Sequence, residues 1–192
     1  MNRRQLLKTI TGLGYITLAS KDYLFTQTKS KQPHFIGIGN AGSEALIYIY
    51  SKGITGKYTS INDRNPPIPG INYIKFIPPN DELITNGDKV IRISRMNNDV
   101  VVSEELKRIF ESDDRYILLS GLGGFTGTKF TGALSQDLTA KNKDFISICS
   151  LPFDFESDPR KLNAPIVVNN LKSKSNFEFF RLQSIREQYG NM

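Results

Sequence analysis

From residue 33 onward, short apolar runs alternate along the chain with longer stretches that have helical spacing of apolar residues. Helices are predicted over residues 42–51, 103–112 and 126–140. Strands that alternate with helices favour a mostly parallel sheet with helices on both faces. The predicted fold class is therefore α/β, a three-layer Rossmann-like fold. Its predicted strands are HFIGI, KYTSIN, INYIKFI, RYILLS, DFISICS and APIVVNN.

Sequence composition divides the chain into three segments. Residues 33–170 carry the alternating pattern and form one predicted domain. Residues 1–32 are a polar and basic extension, and residues 171–192 are predicted to form a C-terminal helical tail. Within the domain, residues 62–99 are the least regular, because their prolines oppose long helices and central strands.

Two glycine-rich segments each follow a predicted strand. The first is FIGIGNAGSEAL at residues 35–46, and the second is SGLGGFTGTK at residues 120–129. Glycines allow a close backbone approach, and the N–H groups at the start of a following helix bind anions. Each segment alone is also compatible with an ordinary tight turn. Together, at the carboxyl ends of two parallel strands, they predict one nucleotide held between two loops.

The charge distribution argues against a nucleic-acid partner. The net charge is +6, but residues 1–32 hold six basic residues and one acidic residue, so the rest of the chain is nearly neutral. The single cysteine, Cys149, is predicted to be a core residue. The single histidine, His34, has no cysteine or histidine companions at metal-ligand spacing, so no metal site is predicted.

The N-terminal sequence NRRQLLK, followed by the mildly apolar run TITGLGYITLAS, is similar to a twin-arginine export signal. The run is too short and too polar for a confident membrane-spanning helix, and Leu18 is a poor residue for the −3 position of a cleavage site. A flexible or amphipathic extension is the alternative. Any membrane contact is expected only through this segment.

Taken together, these motifs resemble the nucleotide-binding domain of the FtsZ and tubulin GTPase family over roughly residues 33–170. The segment FIGIGNAGSEAL resembles the first phosphate loop of the family, and LLSGLGGFTGTKFTGAL resembles its GGGTGTG signature loop. The segment SICSLPFDFES resembles an FtsZ stretch in which a strand leads to Lys-Pro-Phe and then to a Phe-Glu pair. The resemblance implies GTP or GDP as ligand, with Mg²⁺ left open as a companion ion.

The resemblance also implies which residues form the nucleotide site. Backbone N–H groups of the two loops would face the phosphates, Asn62 would match the asparagine of the family pattern VNTD, and the LPFDFE loop would approach the ribose. No catalytic residue and no metal ligand is predicted. The candidate binding residues are Gly37, Gly39, Asn40, Ala41, Gly42, Asn62, Gly121, Gly123, Gly124, Phe125, Thr126, Gly127, Thr128, Phe153 and Glu156.

The sequence departs from the family pattern at three positions. Phe125 replaces the third glycine of the signature and is expected to narrow the phosphate cradle or to push the loop outward. Lys129 replaces the final glycine, where it would face either the phosphates or solvent, and Leu151 replaces the lysine before Pro-Phe. The family loop that senses the terminal phosphate has no visible counterpart in NGDKVIRISRMNND.

Family members complete their active site on assembly, when an acidic loop of one subunit reaches the nucleotide of the next. Residues 171–192 contain only two acids, Glu178 and Glu187, and no paired-aspartate loop. The chain alone is therefore expected to hydrolyse GTP poorly or not at all. Its expected partners are guanine nucleotide and either itself or an FtsZ-like protein, and cytoplasmic residence is expected because GTP is supplied there.

Two alternatives remain at this point. The sequence GIGNAG matches the dinucleotide fingerprint G-x-G-x-x-G, and Asp63 follows at the distance expected for a ribose ligand of an NAD(P)-binding Rossmann domain. The other alternative is a non-catalytic FtsZ-like interaction module, which Phe125 and the missing terminal-phosphate loop favour.

Overall fold

The structure is a computed structural model that describes residues 31–63, 67–76, 82–86, 89–93, 100, 102–112, 114–171 and 176–189. Its helices are α1 (Gly39–Ser51), α2 (Glu104–Ile109), α3 (Phe125–Ala140), α4 (Asp158–Leu171) and α5 (Leu182–Tyr189). Its strands are β1 (Pro33–Ile38), β2 (Lys57–Asn62), β3 (Asn72–Lys75), β4 (Glu82–Asn86), β5 (Lys89–Ile93), β6 (Arg115–Gly121), β7 (Phe145–Leu151) and β8 (Phe177–Arg181).

Six strands form one parallel sheet in the order β3-β2-β1-β6-β7-β8. The chain moves outward from β1 to β3 and then returns to the other side of β1 with β6. The strand order therefore reverses between β1 and β6, and ligands of open α/β sheets bind at the carboxyl ends of the strands at such a point. Strands β4 and β5 pair separately as an antiparallel hairpin.

Two apolar clusters cover the two faces of the sheet. Successive strand residues alternate between them, as Phe35 and Ile36 do, because side chains of a strand point to opposite faces. Helix α1 covers one face with Ala45, Leu46 and Ile49. Helices α2, α3 and α4 contribute to the cluster on the other face. The predicted three-layer α/β fold is confirmed.

The first five predicted strands and the three predicted helices occur within a few residues of their predicted bounds. Ser103 caps α2 as predicted, because its hydroxyl accepts the Leu106 N–H at 3.3 Å. The prediction of a core position for Cys149 is also confirmed, because the residue is fully buried and burial raises the pKa of its thiol to about 12.

The sixth predicted strand, APIVVNN at residues 164–170, is wrong, because these residues lie within α4. The buried residues Ala164, Val167 and Leu171 of this helix follow helical spacing. The sixth strand is instead β8, within residues 171–192, so the segment predicted as a helical tail holds a strand as well as α5.

The predicted export signal lies in residues 1–30, outside the described residues, and it stays a prediction. Within the part of the chain that the structure describes, no helix has both the length and the apolar character needed to cross a membrane.

At the amino end of the sheet, a buried polar group surrounds His34, the second residue of β1. Its Nε2 lies 2.9 Å from Thr59 Oγ1, and its Nδ1 lies 3.6 Å from a carboxylate oxygen of Asp114. Lys57 Nζ donates to the same carboxylate at 2.8 Å. Burial, helped by the charge of Lys57 and opposed by Asp114, lowers the pKa of His34 from 6.5 to about 4. The histidine is therefore neutral at pH 7.

Candidate functional site

The first glycine loop joins β1 to α1. Gly39 begins the helix with a φ of +67°, a conformation that glycine adopts without steric cost. No side chain caps this helix, and its first turn contains no acidic residue. A Cβ on Gly42 would lie 2.0 Å from the backbone oxygen of Leu119, so α1 crosses β6 in direct backbone contact. Because no side chain caps α1, its first N–H groups are left for a ligand or water.

The second glycine loop joins β6 to α3 and has the same character. Gly123 has a φ of +103°, and Gly124 occupies the N-cap position without a side chain to cap the helix. The first turn of α3 again lacks acidic residues. Gly127 lies against β6, because a Cβ there would be 2.2 Å from the backbone oxygen of Gly121. Apart from its chain neighbours, no atom of the described residues lies within 4 Å of the Cβ position of Gly124.

The two loops meet at the point where the strand order reverses. A Cβ on Gly39 would lie 3.3 Å from the backbone nitrogen of Gly127 and 3.5 Å from the Cβ of Thr126. Two helix N-termini, each without a capping side chain, therefore adjoin at the carboxyl ends of neighbouring strands. Because helix N-termini attract negative charge, this junction is suited to an anion.

Two asparagines near this junction, the buried Asn62 and the half-buried Asn40, each have one buried side-chain atom without a hydrogen-bond partner among the described residues. Asn62 ends β2 with 1% of its surface exposed, and its Oδ1 accepts the Asp63 N–H at 2.8 Å while its Nδ2 donates to no group. The Oδ1 of Asn40, in the first turn of α1, also accepts no hydrogen bond. A buried polar atom without a partner is costly, so both atoms favour contact with a ligand or water.

Thr128 and Thr126 play different parts in the second loop. Thr128 is buried, and its Oγ1 accepts the Gly123 N–H at 2.9 Å, so its side chain holds the loop in shape. Thr126 is half-buried, and its Cβ lies 3.5 Å from the Cβ position of Gly39, so its hydroxyl is a candidate donor at the junction of the two loops.

The loop after β7 supports the second glycine loop. Phe153 is 1% exposed and stacks on Phe155 at 4.7 Å, so its ring belongs to the interior. Its backbone N–H donates to Glu156 Oε1 at 3.0 Å, and Arg160 Nη1 donates to Glu156 Oε2 at 2.9 Å. From α4, Asn163 Nδ2 donates to the backbone oxygen of Gly123 at 3.2 Å. Glu156 thus shapes this loop while Asn163 ties α4 to the glycine loop.

A cavity of about 470 Å³ lies beside this loop, between α4 and α5 at the carboxyl ends of β7 and β8. Pro152 links it to the second glycine loop, since Pro152 Cγ would lie 3.0 Å from a Cβ on Gly123. Lys161, Arg181 and Glu187 bring charges of both signs to its wall. No group of three His, Cys, Asp or Glu residues that could hold a metal ion occurs in the described part of the chain.

The chain is similar in sequence to two curated FtsZ proteins. No family model matches the chain. The cell division protein FtsZ of Aquifex aeolicus (strain VF5) is 31% identical over 137 residues, which are 66% of this chain and 35% of that protein. The FtsZ of Mycoplasmopsis pulmonis (strain UAB CTIP) is 32% identical over 88 residues, which are 45% of this chain and 23% of that protein.

Solved structures show the same fold. An empty FtsZ dimer of M. jannaschii superposes with a TM-score of 0.63 at 20% identity, covering 93% of this chain and 52% of that one. The chain is a divergent FtsZ/tubulin-like domain. CetZ from Methanosaeta thermophila (strain DSM 6194) matches with a TM-score of 0.53 at 16% identity, covering 80% of this chain and 46% of that one. The FtsZ-like domain spans about a third or less of the length of these two curated relatives.

Phe125, the main departure from the signature of the FtsZ family, has a definite place in this FtsZ-like domain. Its ring is 4% exposed and lies parallel to the ring of Phe76 with 6.2 Å between centroids. The ring is therefore packed in the interior and does not stand in solvent at the loop. Sequence reasoning missed Phe76 and Asn163, since neither lies in a glycine motif and their contacts cross between distant segments.

Proposed function

We propose that this FtsZ-like domain binds a guanine nucleotide, with its phosphates at the junction of α1 and α3. The observation that carries the proposal is the meeting of two helix N-termini that have no capping side chain and no acid in the first turn. Helix α2 provides the contrast, because Ser103 caps it and Glu104 and Glu105 occupy its first turn. Phosphate oxygens would accept hydrogen bonds from the free N–H groups of α1 and α3. Their negative charge would also interact favourably with both helix dipoles.

Asn62 supplies a further donor to the same region. Within the described part of the chain its buried Nδ2 lacks an acceptor, and an unpaired buried donor costs about 1–3 kcal/mol. A phosphate or ribose oxygen would remove this cost. The guanine base is proposed from the resemblance to the FtsZ and tubulin GTPase family. Mg²⁺, where present, would be held chiefly by phosphate oxygens and water, as is usual for this ion.

The variant Gly124→Val tests whether phosphate binds at the N-terminus of α3. Among the described residues beyond its chain neighbours, no atom lies within 4 Å of the Cβ position of Gly124, so a valine fills space at the N-terminus of α3 without displacing that part of the structure. We expect the Kd for GDP, measured by calorimetry, to rise at least about tenfold, or roughly 1.4 kcal/mol.

Gly132→Val is the matched control, because Gly132 also has no atom within 4 Å of its Cβ position but lies two turns further along α3. This variant should bind GDP like the wild type. If a folded Gly124→Val protein binds GDP with unchanged affinity, the second loop is not part of the site.

We further propose that GTP is bound with little or no hydrolysis by the isolated chain. Attack by water needs a group that positions it and stabilises charge, and the first turns of α1 and α3 provide no carboxylate. Glu156 already pairs with Arg160 and the Phe153 N–H. Phosphate release should therefore stay near background at every protein concentration tested. A specific rate that climbs with concentration would contradict this expectation and would show that assembly builds a working site.

Self-association, or association with an FtsZ-like protein, is proposed as a second property. Phe155 and Leu162 are 60% and 71% exposed, and they lie near the start of α4, which contacts the second glycine loop. The proposal is that these two side chains belong to one apolar surface for a protein partner, because contiguous exposed apolar patches mark such interfaces. Light scattering in the same concentration series, with and without GTP, measures this association.

The strand order, and Asp63 directly after β2, also suit an NAD(P)-binding Rossmann domain. Titration with a fluorescent guanine nucleotide and with NADH distinguishes the two functions. Saturation by NADH alone would overturn the guanine-nucleotide proposal. If no nucleotide raises the melting temperature, the non-catalytic interaction module is favoured, since a ligand of the native state must stabilise it.

A further inference from the structure

Three phenylalanines connect the second glycine loop to the third strand, and we call Phe76, Phe125 and Phe130 the aromatic clamp. Phe76 directly follows β3, and its ring lies parallel to Phe125 at 6.2 Å and edge-on to Phe130 at 4.6 Å. The backbone N–H of Phe76 donates to the backbone oxygen of Asn62 at 3.1 Å. The clamp therefore fastens the first turns of α3 to the carboxyl ends of β2 and β3.

The loop that precedes α3 needs such an anchor. Gly123 and Gly124 allow wide backbone freedom, and Gly124 has no neighbouring atom within 4 Å of its Cβ position to restrict it. Phe125 is the first residue of α3 after these glycines, and it is 96% buried. The packing of the buried Phe125 ring therefore determines the direction of the first N–H groups of α3.

We propose that Phe125 and Phe76 are positioning residues that preorganise the N-terminus of α3 for phosphate. Neither ring touches the ligand; each acts by holding the first turn of α3 in its binding geometry. This inference rests on the proposed nucleotide site and adds the residues that set its affinity for the phosphate groups. A preorganised loop loses less conformational freedom on binding, so its affinity is higher than that of a mobile loop.

The test compares Phe125→Leu with Phe145→Leu. Both phenylalanines are 4% exposed, and each pairs with a second ring at 6.2 Å, Phe125 with Phe76 and Phe145 with Phe177. Phe145 lies at the amino end of β7, however, away from the glycine loops. Both changes should lower the melting temperature to a similar degree, which controls for lost packing.

Calorimetry with GDP and with guanosine gives the deciding comparison. Phe125→Leu should raise the Kd for GDP about fivefold to tenfold and leave the Kd for guanosine unchanged, whereas Phe145→Leu should change neither.

The double variant Phe76→Leu with Phe125→Leu should bind GDP no more weakly than about the worse single variant, because the two rings act as one unit. Unchanged GDP affinity in Phe125→Leu, or equal weakening of guanosine binding, would overturn the inference. If Phe125→Leu does not fold, Phe76→Met serves in its place with the same expected result.

A measurement without nucleotide separates this inference from the nucleotide proposal. Thr128 N–H donates to the Gly124 oxygen at 3.0 Å in the first helical hydrogen bond of α3. Hydrogen exchange at this amide should accelerate in Phe125→Leu more than in Phe145→Leu, beyond the change in global stability. Equal exchange in both variants would refute the clamp even if GDP binds. Failure of wild-type protein to bind GDP would refute the nucleotide site and leave the exchange result to decide the clamp.

Discussion

Gly42→Ala is expected to destabilise the fold by about 3 kcal/mol or more, the range of severe overpacking. The added Cβ would lie 2.0 Å from the backbone oxygen of Leu119 and 2.9 Å from its carbonyl carbon. Both atoms belong to a central strand that is paired on both sides, so they cannot move aside. Helix α1 must instead lift away from β6, which loosens the contacts of Leu46 and Ile49 with the sheet.

Thermal or denaturant unfolding measures this effect, and a loss of 3 kcal/mol corresponds to a fall in melting temperature of roughly 6–12 °C for a chain of this size. Gly132→Ala is the matched control, because its Cβ meets no atom within 4 Å and alanine favours the helix interior by about 1 kcal/mol. A Gly42→Ala protein that melts within a degree or two of the wild type would show that α1 does not approach β6 this closely.

The second large effect is a loss of stability in mild acid that depends on His34. In the unfolded chain this residue binds a proton near its ordinary pKa of 6.5, whereas in the folded protein the pKa of His34 is about 4. The unfolded state therefore binds more protons in this window, and the free energy of unfolding falls as the pH drops from 6.5 toward 4. The loss amounts to about 3 kcal/mol for a shift of this size.

Asp114 extends the loss to lower pH. Burial raises its pKa, but hydrogen bonds from Lys57 and Ser112 outweigh that effect and lower the pKa overall. Protonation of this carboxyl in acid removes the stability that its charged form supplies above its ordinary pKa.

Denaturant unfolding at several values between pH 7 and pH 4 tests the acid effect in the wild type and in His34→Gln. The glutamine retains a polar group for Thr59 but does not titrate, so the dependence on pH within this window should become much shallower. Because His34 is the only histidine, NMR of its imidazole also gives its pKa directly. An imidazole that titrates near 6.5 in the folded protein would refute the expectation.

Local patterns were sufficient for most of the fold and for the backbone of the candidate site. Strands followed by glycines and then by helical spacing predicted both loops, because glycine and strand signals are local in sequence. Phe125 was expected to narrow the cradle or to displace the loop, yet its ring lies against Phe76. The direction of a side chain is decided by distant segments, which a local pattern does not include.

The hairpin of β4 and β5 was missed although the sequence contains its signal. Thr85 pairs with Val90 and Asn86 with Lys89. In the sequence only a Gly-Asp pair separates the two strands, and such a pair at this spacing is a hairpin signal. The prolines of the neighbouring segments are typical of irregular structure, and they obscured this signal. The helix over residues 164–170 was mistaken for a strand for a different reason, since a short apolar run such as IVV fits either element.

The position of β1 has a consequence for synthesis on the ribosome. Pro33 pairs with Arg115, and Ile38 pairs with Ser120, so one whole side of the first strand waits for a segment made much later. Until then the growing chain presents an unpaired apolar edge, which is prone to bind other chains. Contacts between distant segments also slow folding. Chaperones that bind nascent chains are therefore expected to influence the yield of this domain more than its final stability would suggest.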